Sequence, residues 1–381
     1  MQFKDVIGQD AAKARLCASL KEGRVSHAQL FFGPPGSGVL PLAMAYAQFL
    51  ICQQPTDSDS CGTCAACQKC NKMVHPDIYF SFPIVKLAKQ KKDNPVSNDF
   101  IADFRKVVLS HPYLDYNDWI AEISDTDNKQ GFIFVAEGPE IIKRIYLKAF
   151  EAPFKIVLMW LPEKMRPELS NKLLKSLEEP PDNTVFILAS EQRDVLFQTI
   201  LSRTQSIKLT RLNDQQVVNS LLLRKEMEMQ KAGEIARLAD GDYHLAEELS
   251  DQLTNEESFD NSFLAWMRLC FNPARNMEAL LSWVDHMATN KREEQKQFLY
   301  ASIQMVRECM MVNLADSSLV KLESQQVKSL EKFLPYVNAK NMSPFVEELT
   351  KAHFHIERNG QAKIVFLDLS LKLGNILQIK A

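Results

Sequence analysis

The segment from Gly33 to Leu40 has the glycine spacing of a phosphate-binding loop. An apolar run, Ala28–Phe32, precedes the segment, and a second apolar run, Leu40–Leu50, follows it. These runs predict a buried strand and a helix, which is the strand, loop and helix order that such a loop requires. The simpler interpretation is an ordinary turn, because glycine and proline mark turns in many folds.

A working loop of the form G-x-x-x-x-G-K-[ST] brings three groups to a nucleotide. Its glycine backbone surrounds the phosphates, its lysine neutralises the β and γ oxygens, and its hydroxyl binds magnesium. This chain has Val39 and Leu40 where the lysine and the hydroxyl residue belong. We therefore predict that Gly33, Gly36 and Gly38 keep the shape of the loop and that the chain does not bind ATP. Weak binding by backbone amides alone is left open.

Composition limits the classes of protein that the chain can represent. Its 381 residues, 46% of them hydrophobic, are enough for two or three domains. Lys and Arg number 45 against 48 Asp and Glu, so the net charge of -3 is not that of a general nucleic-acid binder. The first residues do not resemble a signal peptide, and no apolar run is long enough to span a membrane. These features predict a cytoplasmic protein with no membrane partner, in which thiols stay reduced.

Five of the eight cysteines fall between positions 52 and 70. Repeated Cys-x-x-Cys spacing lets thiolates converge on one tetrahedral ion, and four thiolates suit structural zinc. A site with four protein ligands leaves no position for water, so metal catalysis is not expected. A redox role for one Cys-x-x-Cys pair is a weaker alternative. The predicted ligands are Cys52, Cys61, Cys64 and Cys67, with Cys70 as an alternative to Cys67.

The other cysteines and one nearby histidine have simpler explanations. Cys17, Cys270 and Cys309 lie in apolar helical patterns and are predicted to be small buried residues. His75 follows the cysteine cluster and has a side chain that can bind metal, but we assign it a structural role.

A further apolar run, Lys155–Trp160, predicts another parallel strand. An active ATPase has an Asp-Glu pair at the end of such a strand, where the carboxylates hold magnesium and polarise the attacking water. Here the corresponding residues are Trp160 and Leu161. Glu163 is the only nearby acid that could substitute for the pair, and the favoured interpretation is a solvated loop carboxylate. A further strand is predicted at Val185–Ala189.

Four segments together resemble the subunits of bacterial sliding-clamp loaders, which are AAA+ proteins. One of them is a helix that ends in Leu-Glu-Glu-Pro-Pro, and another ends in Ser-Arg. A four-cysteine module after the first helix of the loop region is also typical of this family. The segments are Phe3–Gln9, His27–Gly33, Asn171–Pro181 and Thr199–Arg203.

The resemblance implies a role for Arg203. In the family this arginine reaches across a subunit interface into the ATP site of a neighbour, where a guanidinium stabilises charge on the transferred phosphoryl group. Thr204 replaces the cysteine that follows the arginine in the family. A sensor arginine of active relatives is also missing, because the corresponding segment is Gly241–His244. By itself, a single Ser-Arg pair would indicate only a surface cation.

The implied function is that of a non-catalytic subunit in a clamp-loading complex. Its expected partners are the ATPase subunits and the clamp-opening subunit of that complex. Contacts with the sliding clamp and with primed DNA would be made through the assembly. DNA polymerase activity would belong to the larger complex, because the sequence has no visible carboxylate cluster for two catalytic metals.

The predicted architecture has three parts. Residues 1–209 form an α/β AAA+ nucleotide-binding-like domain with a parallel sheet and the zinc module, at about residues 52–70. Residues 211–253 form a small helical lid, for which Asn213 to Gln216 supply a helix cap. Residues 255–381 form an all-α collar domain for oligomerisation. Helical apolar spacing predicts two stripes, which are expected to form its core or, in part, an interface with other subunits of the collar. These are Phe263, Trp266, Met267 and Cys270, and Ile364, Leu367, Leu371 and Ile376.

Residues 81–131 are predicted to be an insertion that the family core does not require. Basic and aromatic residues within it suggest contact with nucleic acid through phosphates and base stacking. A solvated polar loop with a small amphipathic helix is the favoured interpretation, because acidic residues dilute the charge. The basic and aromatic residues are Lys86, Lys89, Lys91, Lys92, Tyr113, Tyr116 and Trp119.

Two alternatives to the implied function remain at this point. An active ATPase with a variant phosphate loop would need replacements for the missing lysine, hydroxyl and acidic pair, each of which contributes to catalysis. A zinc-containing DNA-binding protein unrelated to clamp loading would fit the cysteines, but it would leave the Arg203 segment unexplained.

Overall fold

The computed structural model describes residues 1–86, 94–125, 129–252, 259–290, 292–313 and 333–379. These residues form two compact units. The first contains residues 1–236 and 240–248, and the second contains residues 237–239 and 249–381. Most of the predicted lid is therefore grouped with the α/β part. The three predicted domain limits stay predictions.

A five-stranded sheet organises the first unit, and every strand pair in it is parallel. This confirms the predicted parallel α/β fold. The spatial order is β2-β3-β4-β1-β5. The chain leaves β1 and β4, which are neighbours, in opposite directions along the sheet, and in open α/β sheets this arrangement places a ligand crevice at the carboxyl ends of such strands. The strands are β1 (Ala28–Phe32), β2 (Ile78–Ser81), β3 (Lys155–Trp160), β4 (Thr184–Ser190) and β5 (Gln205–Lys208).

Helices cover both faces of the sheet, as apolar parallel strands require. Alternate strand residues enter two separate cores: Phe31 and Ile156 belong to one, and Leu30 and Val157 belong to the other. Within the first core, α2 is buried along its whole length. The helices are α1 (Asp10–Lys21), α2 (Val39–Ile51), α3 (Ala65–Asn71), α4 (Ile101–Ser110), α5 (Tyr116–Ile123), α6 (Glu137–Tyr146), α7 (Pro167–Glu178) and α8 (Gln198–Leu201).

The helices α9 (Asp214–Lys225), α10 (Met229–Ala239) and α11 (Tyr243–Gln252) follow β5. The predicted cap of α9 is confirmed. The Asn213 side chain accepts a hydrogen bond from the Gln216 amide at 2.8 Å, and the Gln216 side chain accepts one from the Asn213 amide at 3.0 Å. This reciprocal arrangement satisfies two backbone donors at the start of the helix.

The segment predicted to be a solvated polar loop with a small amphipathic helix contains the helices α4 and α5, which contribute to the first core. Phe104 of α4 stacks on Phe82 with 3.9 Å between ring centroids, and Trp119 of α5 meets it edge-on at 5.1 Å. Trp119 is fully buried and donates a hydrogen bond to the Pro83 carbonyl at 2.6 Å. Tyr113 is also buried. Because both rings are buried, neither is exposed for base stacking. Their burial stabilises the domain instead.

Lys89, Lys91 and Lys92 of the predicted basic run lie outside the described residues. Lys86 lies within them, with its ammonium 5.4 Å from the centroid of the Phe134 ring.

Beyond residue 249, every regular element of the second unit in the described residues is a helix. Trp266 stacks on Trp283 at 4.9 Å and donates a hydrogen bond to the Ser370 hydroxyl at 2.9 Å. The first predicted stripe, which contains Trp266, is buried as expected. The helices are α12 (Phe259–Phe271), α13 (Met277–Thr289), α14 (Arg292–Asn313), α15 (Met342–Glu357) and α16 (Ala362–Ile376).

The second predicted stripe is wrong in its helical phase. Ile364 is 61% exposed and Leu371 is 38% exposed, whereas Phe366 and Leu373 are fully buried. The helix is apolar on more than one side, so spacing alone selected a face that only partly overlaps the core. Among the described helices, none is long and apolar enough to cross a bilayer.

Candidate functional site

The glycine loop lies at the carboxyl end of β1, beside the end of β4. The Gly33 amide donates a hydrogen bond to the Ser190 carbonyl at 3.3 Å, which fixes the start of the loop against β4. Gly36 has φ +66° and Gly38 has φ +90°, and glycine adopts this left-handed region without the steric cost that other residues have. The loop therefore has a backbone that depends on its glycines, as a phosphate loop does.

Val39 and Leu40 begin α2, and both are buried, at 5% and 3% exposure. Their side chains belong to the core beneath the sheet. Neither carries a charge or a hydroxyl group, so these two positions contribute packing and no phosphate or magnesium contact.

The outer side of the loop is covered by Asp242 and Tyr243, at the start of α11. The Tyr243 amide donates a hydrogen bond to the Gly36 carbonyl at 3.3 Å. A Cβ atom at Gly36 would overlap the Asp242 carboxylate. Burial raises the pKa of Asp242, and the nearby Asp115 adds to this effect. An acidic side chain against the loop disfavours a phosphate there by charge repulsion.

Tyr113 covers a second part of the loop. A Cβ atom at Gly38 would lie 3.0 Å from its ring. The Tyr113 hydroxyl accepts a hydrogen bond from the Ile7 amide at 2.8 Å, and its ring meets Tyr243 edge-on at 4.8 Å. No sequence pattern indicates this cover, because Tyr113 lies in the predicted insertion and its proximity to Tyr243 depends on the tertiary fold.

At the end of β3, where an ATPase has its acidic pair, Trp160 and Leu161 are buried. Glu163, in contrast, is wrongly predicted as a solvated loop carboxylate. Its Oε1 accepts hydrogen bonds from the Glu191 and Gln192 amides at 2.9 and 3.2 Å, and its Oε2 is buried. The carboxylate thus holds the chain where it leaves β4.

Arg203 lies just after α8 and is held by groups of its own chain. Its Nε donates to Glu178 Oε2 at 3.0 Å, and its Nη1 donates to the Thr199 carbonyl at 3.2 Å and the Ser202 hydroxyl at 3.3 Å. Its side chain is 30% exposed. Because a guanidinium has five N–H donors in a planar fork, these contacts orient the group and still permit a further acceptor.

The sulfur atoms of Cys52, Cys61, Cys64 and Cys67 lie within 4.8 Å of one another. The Cys61 and Cys67 sulfurs are 3.9 Å apart. Zinc–sulfur bonds of about 2.3 Å in a tetrahedron place sulfurs about 3.8 Å apart, so the group fits such an ion. Cys70 is not part of this group. It is buried separately, and burial raises its pKa to about 12.

Backbone amides support the four-cysteine group. The Cys61 amide donates to the Cys52 sulfur at 3.2 Å, and the Cys64 amide donates to the Cys61 sulfur at 3.3 Å. Amide donors at Cys64 and Thr63 lower the pKa of Cys61 to about 6, because they stabilise its thiolate. Donor type, spacing and amide support all suit a closed structural metal site.

His75 takes no part in this group. Its Nδ1 accepts a hydrogen bond from the Asp77 amide at 3.2 Å, and its Nε2 lies 3.2 Å from Glu151 Oε1. Cys17, Cys270 and Cys309 are buried, as expected for small core residues.

Comparison with known proteins identifies relatives in DNA replication. A family model described as DNA polymerase III, delta subunit, matches residues 8–213. The delta' subunit of Pseudomonas aeruginosa is 30% identical over 47% of this chain and 41% of its own length. The delta' subunit of Escherichia coli is 28% identical, over 50% of this chain and 44% of its own length.

A tau subunit and a solved structure match as well. The tau subunit of DNA polymerase III from Bacillus subtilis is 26% identical over 66% of this chain and 37% of its own length. The chain therefore spans less than half the length of these curated relatives. A gamma-subunit-related protein of Thermotoga maritima has a TM-score of 0.40 and 14% identity, with 95% of this chain and all of that chain covered. That structural likeness carries no functional conclusion.

Proposed function

Because the chain belongs to the DNA polymerase III delta-subunit family, we propose that it is a delta-prime subunit of a bacterial sliding-clamp loader. In this role it hydrolyses no ATP itself. It supplies Arg203 in trans to the ATP site of a neighbouring subunit while the clamp is loaded on primed DNA.

One observation carries the non-catalytic part of this proposal. Val39 and Leu40 replace the lysine and hydroxyl, and Asp242, Tyr243 and Tyr113 lie against the glycines that would otherwise surround phosphates. A nucleotide there would lack its counter-charge and would meet a carboxylate. The fold of an ATPase is kept, and the chemistry of phosphate binding is replaced by packing.

The position of Arg203 supports the second part. A residue that acts in a neighbour's site must be near the surface and must hold its orientation before the neighbour arrives. Arg203 meets both conditions, because it is partly exposed and Glu178 fixes its Nε. Its partners would be the gamma or tau ATPase subunits and the clamp-opening delta subunit. The sliding clamp and primed DNA would be contacted through the complex, in the cytoplasm.

We assign the four-cysteine group to structural zinc. Cys52, Cys61, Cys64 and Cys67 would hold the ion, whose bonds would join the end of α2 to the segment that contains α3. Four thiolates leave no site for substrate, so zinc would stabilise this module and take no part in a reaction.

An active ATPase is the second candidate, because tau and gamma subunits are also similar to this chain. This candidate needs a nucleotide to displace the residues that cover the glycine loop. The zinc-containing DNA-binding alternative has less support, because Trp119 and Tyr113 are buried.

The test is ATP hydrolysis by a loader reconstituted with its cognate subunits, clamp and primed DNA. We expect no turnover by this chain alone. Arg203→Ala should lower stimulated turnover about tenfold or more, since arginine fingers contribute large rate factors. Arg193→Ala, at an exposed arginine ten positions earlier in the sequence, is the matched control. Turnover by the isolated chain, or a normal rate with Arg203→Ala, contradicts the proposal.

A further inference from the structure

A second group of potential metal ligands lies in the first unit, away from the cysteines. His244 Nε2 is 3.4 Å from Asp118 Oδ2 and 3.7 Å from Glu248 Oε2. One ligand atom from each of the three residues falls within 4.8 Å of the others. The residues come from two helices that are distant in sequence, since Asp118 belongs to α5 and the other two belong to α11.

The spacing on α11 explains how two of these groups meet. His244 and Glu248 are four residues apart, so their side chains share one helix face. Asp118 approaches the same imidazole nitrogen from α5. The fold thus brings one nitrogen and two carboxylate oxygens within 4.8 Å of one another.

The distances fit a shared ion better than direct hydrogen bonds. An N–H···O hydrogen bond normally measures about 2.7 to 3.2 Å, and both separations from His244 Nε2 are longer. Ligand bonds of about 2.0 to 2.2 Å in a tetrahedron place ligand atoms about 3.3 to 3.6 Å apart. The two observed separations are close to that range.

Charge and burial favour a cation at this point. The side chains of His244 and Glu248 are 18% and 22% exposed, and that of Asp118 is 46% exposed. The two acids are therefore partly withdrawn from water on either side of one imidazole. Asp115 and Asp242 add negative charge close to His244. This negative charge favours a cation at the point where the three side chains meet, and the more exposed side of Asp118 offers a path from solvent.

We propose that Asp118, His244 and Glu248 bind a divalent first-row transition metal ion, with zinc as the best match. One imidazole and two carboxylates form a donor set that suits zinc, and a water molecule would complete the tetrahedron. Thiolates are absent from this set, so the site differs in chemistry from the cysteine group. The inference does not depend on the proposed function.

The ion would act as a clamp on the cover of the glycine loop. Tyr243 directly precedes His244, and Tyr113 lies shortly before α5. A metal bond between α5 and α11 would hold both tyrosines against Gly36 and Gly38. The site would then stabilise the closed form of a loop that lacks nucleotide.

The test titrates the full-length chain, with its cysteine site already loaded, with Zn²⁺ by isothermal calorimetry. Wild type should bind one further ion, and its melting temperature should rise on binding. His244→Gln should weaken this binding at least about tenfold. Loss of a residue that only supports a ligand already lowers metal affinity by about tenfold or more, and loss of the ligand itself should lower it further. Asp118→Asn, at the most exposed of the three positions, repeats the test with less effect on packing.

His111→Gln is the matched control, because His111 is exposed and outside the group. It should bind the further ion as wild type does. Circular dichroism verifies that each variant is folded. If folded wild type binds no ion beyond the cysteine site, or if both folded variants keep wild-type affinity, the proposed site is refuted.

Discussion

Glu178 Oε2 accepts a hydrogen bond from Arg203 Nε at 3.0 Å, which joins the last residue of α7 to the turn after α8. Both residues belong to segments that resemble clamp loaders, yet 25 positions separate them in sequence. The ion pair gives Glu178 a function in the site. It orients the guanidinium that we propose acts on a neighbour's ATP.

We expect Glu178→Ala to lower clamp-stimulated ATP turnover of the reconstituted loader, by less than Arg203→Ala does. The arginine stays in place in this variant but loses one of its fixed contacts. A loss of about threefold to tenfold is reasonable for misorientation of a group that acts in the transition state. Stimulated turnover at saturating ATP is the measurement.

Glu179→Ala is the control for that comparison, because Glu179 is the exposed neighbour of Glu178. It should retain normal turnover. A Glu178→Ala loader as fast as wild type would show that the ion pair does not position Arg203.

Restoring the lost residues of the glycine loop should not restore an ATPase. In the double variant Val39→Lys and Leu40→Thr, the new groups enter positions that are 5% and 3% exposed. Burial of an unpaired ammonium and a hydroxyl should lower the free energy of unfolding by about 3 kcal/mol or more. Asp242 and Tyr243 would still cover the loop. Urea unfolding and the binding of a fluorescent ATP analogue measure the two effects.

Leu40→Met serves as the matched variant, since it keeps an apolar side chain of similar volume, and it should cost less than about 1.5 kcal/mol. Tight analogue binding by the double variant would argue that the cover moves aside easily.

Sequence patterns predicted those features that local residue order determines. Apolar runs located the strands β1, β3 and β4, and an Asn213 to Gln216 cap marked the start of α9. Cysteine spacing selected the four sulfurs that the fold brings together, because nearby residues in a short loop have few ways to converge.

Contacts between distant segments could not be found in this way. Tyr113 and Tyr243 meet over the loop although 130 positions separate them, and neither lies in a recognisable motif. The phase of α16 was misjudged because Ile364 and Phe366 are equally apolar, and only the packing of neighbouring helices determines which one is buried. Glu163 was misassigned because its amide partners follow another strand.

Asp77 should make the stability of the first unit depend on pH in the acid range. Its carboxylate accepts hydrogen bonds from the Phe150, Glu151 and Ala152 amides at 2.6, 2.9 and 3.0 Å. Burial alone would raise the pKa of Asp77, but these three donors outweigh it and lower the pKa. The native carboxylate thus holds its proton less tightly than the unfolded one, whose pKa is about 3.9.

The direction in which stability changes with pH follows from proton binding. The stabilisation is fully present above the unfolded pKa and is lost as the pH falls through the lower native value. Asp77→Asn should therefore destabilise the protein at pH 7 by about 1 to 3 kcal/mol, and the difference should shrink below about pH 4. Urea unfolding of both proteins at several pH values measures it. A difference that is the same at pH 7 and pH 3 would rule out an ionised Asp77 as the source.

Substitution of single cysteines should distinguish the ligands of the four-cysteine group from the nearby Cys70. Cys64→Ser removes a sulfur from the group, so we expect bound zinc to fall by one ion per chain and the melting temperature to decrease, because metal binding contributes to folding. Cys70→Ser changes a cysteine that is near in sequence but lies outside the group. This variant should retain the ion. Elemental analysis of the dialysed proteins gives the metal content. Equal zinc loss in both variants would favour an ion shared with Cys70, and normal zinc in Cys64→Ser would exclude Cys64 as a ligand.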